Sequence, residues 1–145
     1  MNRVHKIGIV FAVIGCLAPG TVKSALGAEK LGKIVFKAGS PDSAGSEFAD
    51  SGLADTVKDM KRRAGAFVVV DDEASADFLM VIVSREDTPV AGQQTAKRVT
   101  VNLSVKDGSS WRPGAKITKV TNAWGLSAAH VIGDAEKWIK ANSKK

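Results

Sequence analysis

Residues 53–83 read LADTVKDMKRRAGAFVVVDDEASADFLMVIV, and the order of patterns within them decides the fold. Leu53, Val57, Met60 and Ala64 recur at i, i+4, i+7 and i+11, which lines them along one face of a helix. Asp50 or Ser51 can cap its start, since a short side-chain oxygen accepts from the free backbone N–H groups there. Lys61, Arg62 and Arg63 fall in the last turn, where cations meet the negative end of the helix dipole. Gly65 is expected to end the helix in the left-handed conformation. Phe67–Val70 then reads as a strand and Asp71–Asp77 as a polar connection. Phe78–Val83 is apolar without interruption, the pattern of a central strand covered on both faces.

Upstream, Ile34–Phe36 forms a candidate strand and Ala38–Gly45 a loop rich in Gly, Ser, Pro and Asp. Downstream, Asp87–Ala96 reads as a loop. Val99, Val101, Leu103 and Val105 then alternate with Arg98, Thr100, Asn102 and Ser104, as in a strand with one wet face. Lys106–Gly108 turns the chain, Ser109–Gly114 is expected to be an exposed loop, and Ile117–Val120 a short strand. A last helix is predicted from about Leu126 to Ala141, with Ala128, Ile132, Ala135 and Ile139 inward. The expected fold class is α/β of the α+β type. It is a mixed four- to five-stranded sheet with two helices packed on one face, in the order β-α-β-β-β-(β)-α.

The N-terminus reads differently. Arg3 and Lys6 precede the uncharged apolar run Ile7–Ala18, and small residues follow at Ser24–Ala28, which together form the three parts of a secretory signal. The run is shorter than the ~20 residues that span a bilayer. Residues 1–27 are therefore expected to be a signal peptide, cleaved after Gly27 or Ala28, and residues 28–145 a single small α/β domain. Cys16 is the chain's one cysteine, and with Val13–Gly15 before it the site resembles a lipobox, which makes it the lipidation candidate. The domain beyond has no thiol, which excludes an internal disulfide, a cysteine nucleophile and a thiolate metal site. The chain carries a formal charge of +6, unevenly placed: residues 28–96 hold 8 basic and 12 acidic groups, residues 97–145 hold 10 and 3. The basic half suits an anionic partner, and export argues against nucleic acid.

The run KRRAGAFVVVDDEASADFLMVIV resembles a pattern in bacterial envelope assembly domains: a helix, a strand, an acidic link, and an "ADFL" motif that opens the next strand. The N-terminal domain of the Tol-system protein TolB and the curli-secretion lipoprotein CsgG represent these families. The resemblance implies an assembly or protein-contact module and no enzyme. It covers about a quarter of the mature chain and carries over no functional residue, because the shared positions belong to the core and to turns.

Candidate sites are few. Asp71, Asp72, Glu73 and Asp77 place four carboxylates within seven residues and are the weak candidates for a metal, though no calcium-loop spacing or glycine turn accompanies them. His130 and Asp134 lie one helical turn apart, half of a general-base arrangement. Trp111, Arg112 and Trp124 fall outside the apolar alternation and are the binding candidates, since tryptophan beside arginine often anchors an interface. No cofactor is implied. The leading expectation is an exported, non-enzymatic envelope or secreted module, periplasmic unless lipid-anchored, that binds an envelope protein or a cell-wall polymer. One alternative is a lipoprotein tethered through Cys16, which alone would put the chain on a membrane. The other is a hydrolase or metal-assisted enzyme using Asp71, Asp72, Asp77 and His130. Mass spectrometry of the native N-terminus separates these expectations: an unmodified start near Ala28 is expected, and a lipidated Cys16 would replace it with the tether.

Overall fold

The computed structural model describes residues 29–39, 49–92 and 95–143. The expected signal peptide with Cys16, loop residues 40–48, and the side chains of Asp50 and Ser51 lie outside the described residues. The elements run β1 (Lys33–Ala38), α1 (Ala49–Arg63), β2 (Val68–Val69), β3 (Phe78–Pro89), β4 (Thr95–Asp107), β5 (Ser110–Thr121) and α2 (Trp124–Asn142). The strands form one sheet in the order β2-β1-β3-β4-β5. β1 is parallel to β2 and β3, whereas β3, β4 and β5 are antiparallel. The α+β fold expected from the sequence is the fold observed.

One sheet face carries Ile34, Phe36, Phe78, Met80, Ile82, Val99, Val101, Leu103 and Ile117 into the main core. Both helices cover that face, α1 through Leu53, Met60 and Ala64, α2 through Ala128, Val131, Ile132, Ala135 and Ile139. The helical periodicity of the sequence is thus realised as buried stripes. The start of α2 is pinned to the sheet by polar groups: the buried Ser127 Oγ donates to the Lys97 carbonyl at 2.7 Å and lies 2.8 Å from Thr121 Oγ1. Among the described residues, the opposite face has only a small cluster of Val35, Ala76 and Leu79, flanked by Val70, Val81 and Trp111.

Several local expectations change. Gly65 does not take a positive φ. The chain turns instead through Ala64–Phe67, closed by the Phe67 N–H to the Ala64 carbonyl at 2.9 Å, and such a turn needs no left-handed residue. The strand expected at Phe67–Val70 shortens to two residues. The loop between β3 and β4 is shorter than read, because cross-strand pairing continues to Pro89 and resumes at Thr95. Ser109–Gly114 is not an exposed loop: β5 begins at Ser110 and includes the Trp-Arg-Pro-Gly run. A β-bulge makes this possible. Leu103 pairs with Ala115 and Ser104 with Pro113, so Gly114 is the extra residue.

Gly114 must lack a side chain. A Cβ there would come within 2.8 Å of the Leu103 carbonyl oxygen and 2.9 Å of the Trp138 ring. Gly114→Ala therefore should destabilise the domain by about 1–3 kcal/mol, the usual cost of overpacking. Urea unfolding of the variant beside the parent checks this, and coincident midpoints would show that the contact yields freely.

Candidate functional site

The acidic link crosses the open sheet face at one end, and its carboxylates diverge. Asp71 pairs with Lys61 at 2.6 Å, and Asp72 Oδ1 accepts from the Ala74 N–H at 3.0 Å. Asp77 Oδ2 accepts from the Lys33 N–H at 2.7 Å, which ties the link to the start of β1. Glu73 pairs with Lys37 and accepts from the Trp111 indole N–H at 2.7 Å. Among the described residues, no three His, Cys, Asp or Glu side chains form a group able to hold a metal ion. Instead Glu73 and Asp77 fasten the link to strands, Asp71 ties it to α1, and Asp72 closes a turn within it.

Trp111 is one of the things they fasten. Its half-buried ring packs beside Val35, Ala76 and Leu79, and Lys106 Nζ lies 4.6 Å from the ring centroid. The ring covers the small apolar cluster that no helix reaches. Arg112 is exposed and pairs in register with Val105, so its side chain leaves the opposite face of the sheet from Trp111.

Trp124 lies elsewhere, at the start of α2 and against the main core. The Arg85 guanidinium sits 4.3 Å from its ring centroid and Lys97 Nζ 5.2 Å. Nine residues of β4 separate Lys97 from Lys106, the partner of Trp111, or about 30 Å along a strand. The two rings also belong to opposite faces. Trp111, Arg112 and Trp124 therefore do not form one patch. Arg85 and Lys97 were not singled out from the sequence, and the reason is local. Strict alternation from Met80 and Ile82 would put Ser84 under the helices and Arg85 outside, but a bulge between Ile82 and Ser84 reverses the faces.

His130 is exposed on α2 and lines a shallow depression with Lys119, Gly133, Asp134 and Lys137. Asp134 is held by Lys119 at 2.5 Å and by Lys137 at 3.6 Å. The link carboxylates are not among the lining residues, so the structure does not gather His130, Asp71, Asp72 and Asp77 into one cleft.

The rest of the open face is a broad, shallow surface of β3–β5. Val83 and Val120 are 42% and 48% exposed. Around them stand Arg98, paired with Glu86 at 3.6 Å, the hydrogen-bonded Thr100 and Thr118, and Lys116. No described helix is long and apolar enough to cross a membrane.

No family model and no curated protein matches the chain. Solved structures do. A hypothetical protein of Chlamydia trachomatis superposes with a TM-score of 0.52 at 10% identity, over 77% of this chain and 99% of its own. A protein of Xanthomonas campestris gives 0.49 at 12% identity, over 84% and 93%. A minor lipoprotein of Acinetobacter baumannii gives 0.47 at 11% identity, over 79% and 95%. At such identities the likeness is one of fold. The Chlamydia protein thus shares the fold of this chain, and neither TolB nor CsgG is among these three.

The carboxylate pairs carry a pH signature. Lys37 first, then the Trp111 indole, hold the Glu73 carboxyl below its ordinary range, as Lys61 does for Asp71 and Lys119 for Asp134. A lowered folded-state pKa contributes stability above the unfolded-state pKa, and this is lost as pH falls through the folded one. In Glu73→Gln the amide oxygen still accepts from Trp111, but Lys37 loses its anion. Urea midpoints followed from neutral pH to about pH 3 should fall less steeply in the variant than in the parent. Parallel curves would show that Glu73 contributes nothing through its charge.

Proposed function

We propose that this chain is an exported, non-enzymatic module of the bacterial envelope that binds a protein or a wall polymer through the sheet face left open by its helices. The observation that carries the reading is that face. Three strands of 12 and 13 residues present exposed Val83 and Val120 beside Lys116, with Arg98 and the Thr100–Thr118 pair between them. Apolar side chains ringed by polar and basic ones are the composition of a contact surface. The surface is shallow, which suits a macromolecule better than an enclosed small substrate. The basic balance of residues 97–145 favours an anionic partner. The apolar run and small-residue region of the first 27 residues support export.

A photo-crosslinking residue at Val120 tests this, with one at the exposed Lys137 on α2 as control. In envelope extracts a discrete adduct is expected from Val120 and not from Lys137, and Lys116→Glu should abolish it. If the partner is a wall polymer, the parent should instead sediment with purified sacculi and the Lys116→Glu chain should not. Equal adducts from both positions, or no adduct and no sedimentation, would overturn the proposal.

A further inference from the structure

Three cations from three different elements meet at the Trp124–Gly125 step. Arg85 of β3 and Lys97 of β4 lie against the Trp124 ring. Arg63, the last residue of α1, reaches so close that a Cβ on Gly125 would stand 2.7 Å from its Nη2. Glycine at 125 thus leaves room for a guanidinium at the start of α2. Among the described residues, two of the three cations have a carboxylate partner. Asp59 is engaged by Arg62 at 2.6 Å and only distantly by Arg63 at 3.5 Å, and Lys97 is paired with Asp87. Arg85 has no carboxylate partner among the described residues: its Nη1 donates to the Gly52 carbonyl at 2.6 Å and approaches Thr56 Oγ1 at 3.5 Å.

Among the described residues the cations here outnumber the carboxylates, and an anion would relieve their mutual repulsion. α2 begins there with no acid in its first turn and no side-chain cap, so its positive dipole end adds to the three cations and no acid of that turn offsets them. Moreover, Arg85 faces this way only because the bulge at Val83 reverses the strand. Bulges that re-aim a side chain in this manner are over-represented beside functional sites.

We infer that Arg85, Lys97 and Arg63, gathered around Trp124, form a binding site for a multiply charged oxyanion of the phosphate class. The site is independent of the open sheet face, because these side chains lie on the helix-covered side and at its margin. Arginine forks suit phosphate oxygens geometrically, and the Trp124 ring positions the Arg85 guanidinium and the Lys97 ammonium. Two sources supply such a group, a free phosphate compound and a phospholipid headgroup.

The test uses the purified chain with inorganic phosphate as probe, at constant ionic strength set with chloride. Amide and indole resonances of Gly125 and Trp124 should shift saturably, while those of Thr118 on the open face stay fixed. Arg85→Gln should weaken binding by about tenfold or more, the loss expected for one charge-assisted contact. Lys97→Gln is the second variant should Arg85→Gln not fold, and Lys137→Gln, at an exposed position of α2 outside both surfaces, should bind as the parent does. Acetate should bind more weakly than phosphate. Vesicles of phosphatidylcholine with and without phosphatidylglycerol distinguish the sources: co-sedimentation with the anionic vesicles, lost in Arg85→Gln, marks a headgroup, and phosphate binding without it marks a soluble ligand. Shifts that chloride alone reproduces, an unaltered affinity in both variants, or no binding in either arm would overturn the inference.

Discussion

Two helices have to bury one face of a five-stranded sheet, and the remainder of the molecule follows from how far they reach. A helix of 15 or 19 residues is about 22 or 28 Å long, whereas strands of 12 or 13 residues extend about 40 Å. The helices therefore cover only part of the length of the long strands. There, Met60 of α1 and Val131 and Ile139 of α2 close over Met80, Ile82, Val101 and Leu103, all essentially without exposure. Each such side chain contributes about 1.5–3 kcal/mol of burial. The second face has no helical cover among the described residues, so it is closed at one end by the acidic link and the Trp111 ring and stays open at the other.

Two bulges convert this plain arrangement into one with distinct surfaces. The bulge at Val83 turns Arg85 inward beneath the helix ends, where it stacks on Trp124. The bulge at Gly114 lets a strand absorb Pro113 and brings its backbone under Trp138. Each adds one residue to one strand, and each changes which side chains share a face. The basic groups of the C-terminal half are divided by this means: Lys106 and Lys116 stand on the open face, Lys97 and Lys119 on the helix face. One net charge read from composition becomes two separate cationic environments.

The three tryptophans show the same division of labour. Trp138 covers the Gly114 bulge, Trp111 roofs the small cluster, and Trp124 supports two cations. Residue type alone says nothing of these different roles. The link carboxylates behave likewise. Clustered along the chain, they point in different directions in space, because Asp71 is drawn to a lysine of α1, Glu73 to a lysine of β1 and an indole of β5, Asp77 to a backbone amide of β1, and Asp72 to an amide of the link itself.

What the sequence determined unaided is the set of elements and their coarse arrangement. The stripe Leu53–Ala64, the apolar run Phe78–Val83 and the alternation through Val99–Val105 are local periodicities, and the solvent on one side of a helix or strand is enough to enforce them. What only the tertiary structure decided is register: where pairing continues past Val83, where Gly114 is squeezed out, and hence which of Arg85, Lys97, Trp111 and Trp124 meet. Register is a contest between segments tens of residues apart, won by the sum of their packing. A one-residue shift moves every later side chain to the other face, and no local pattern records that choice.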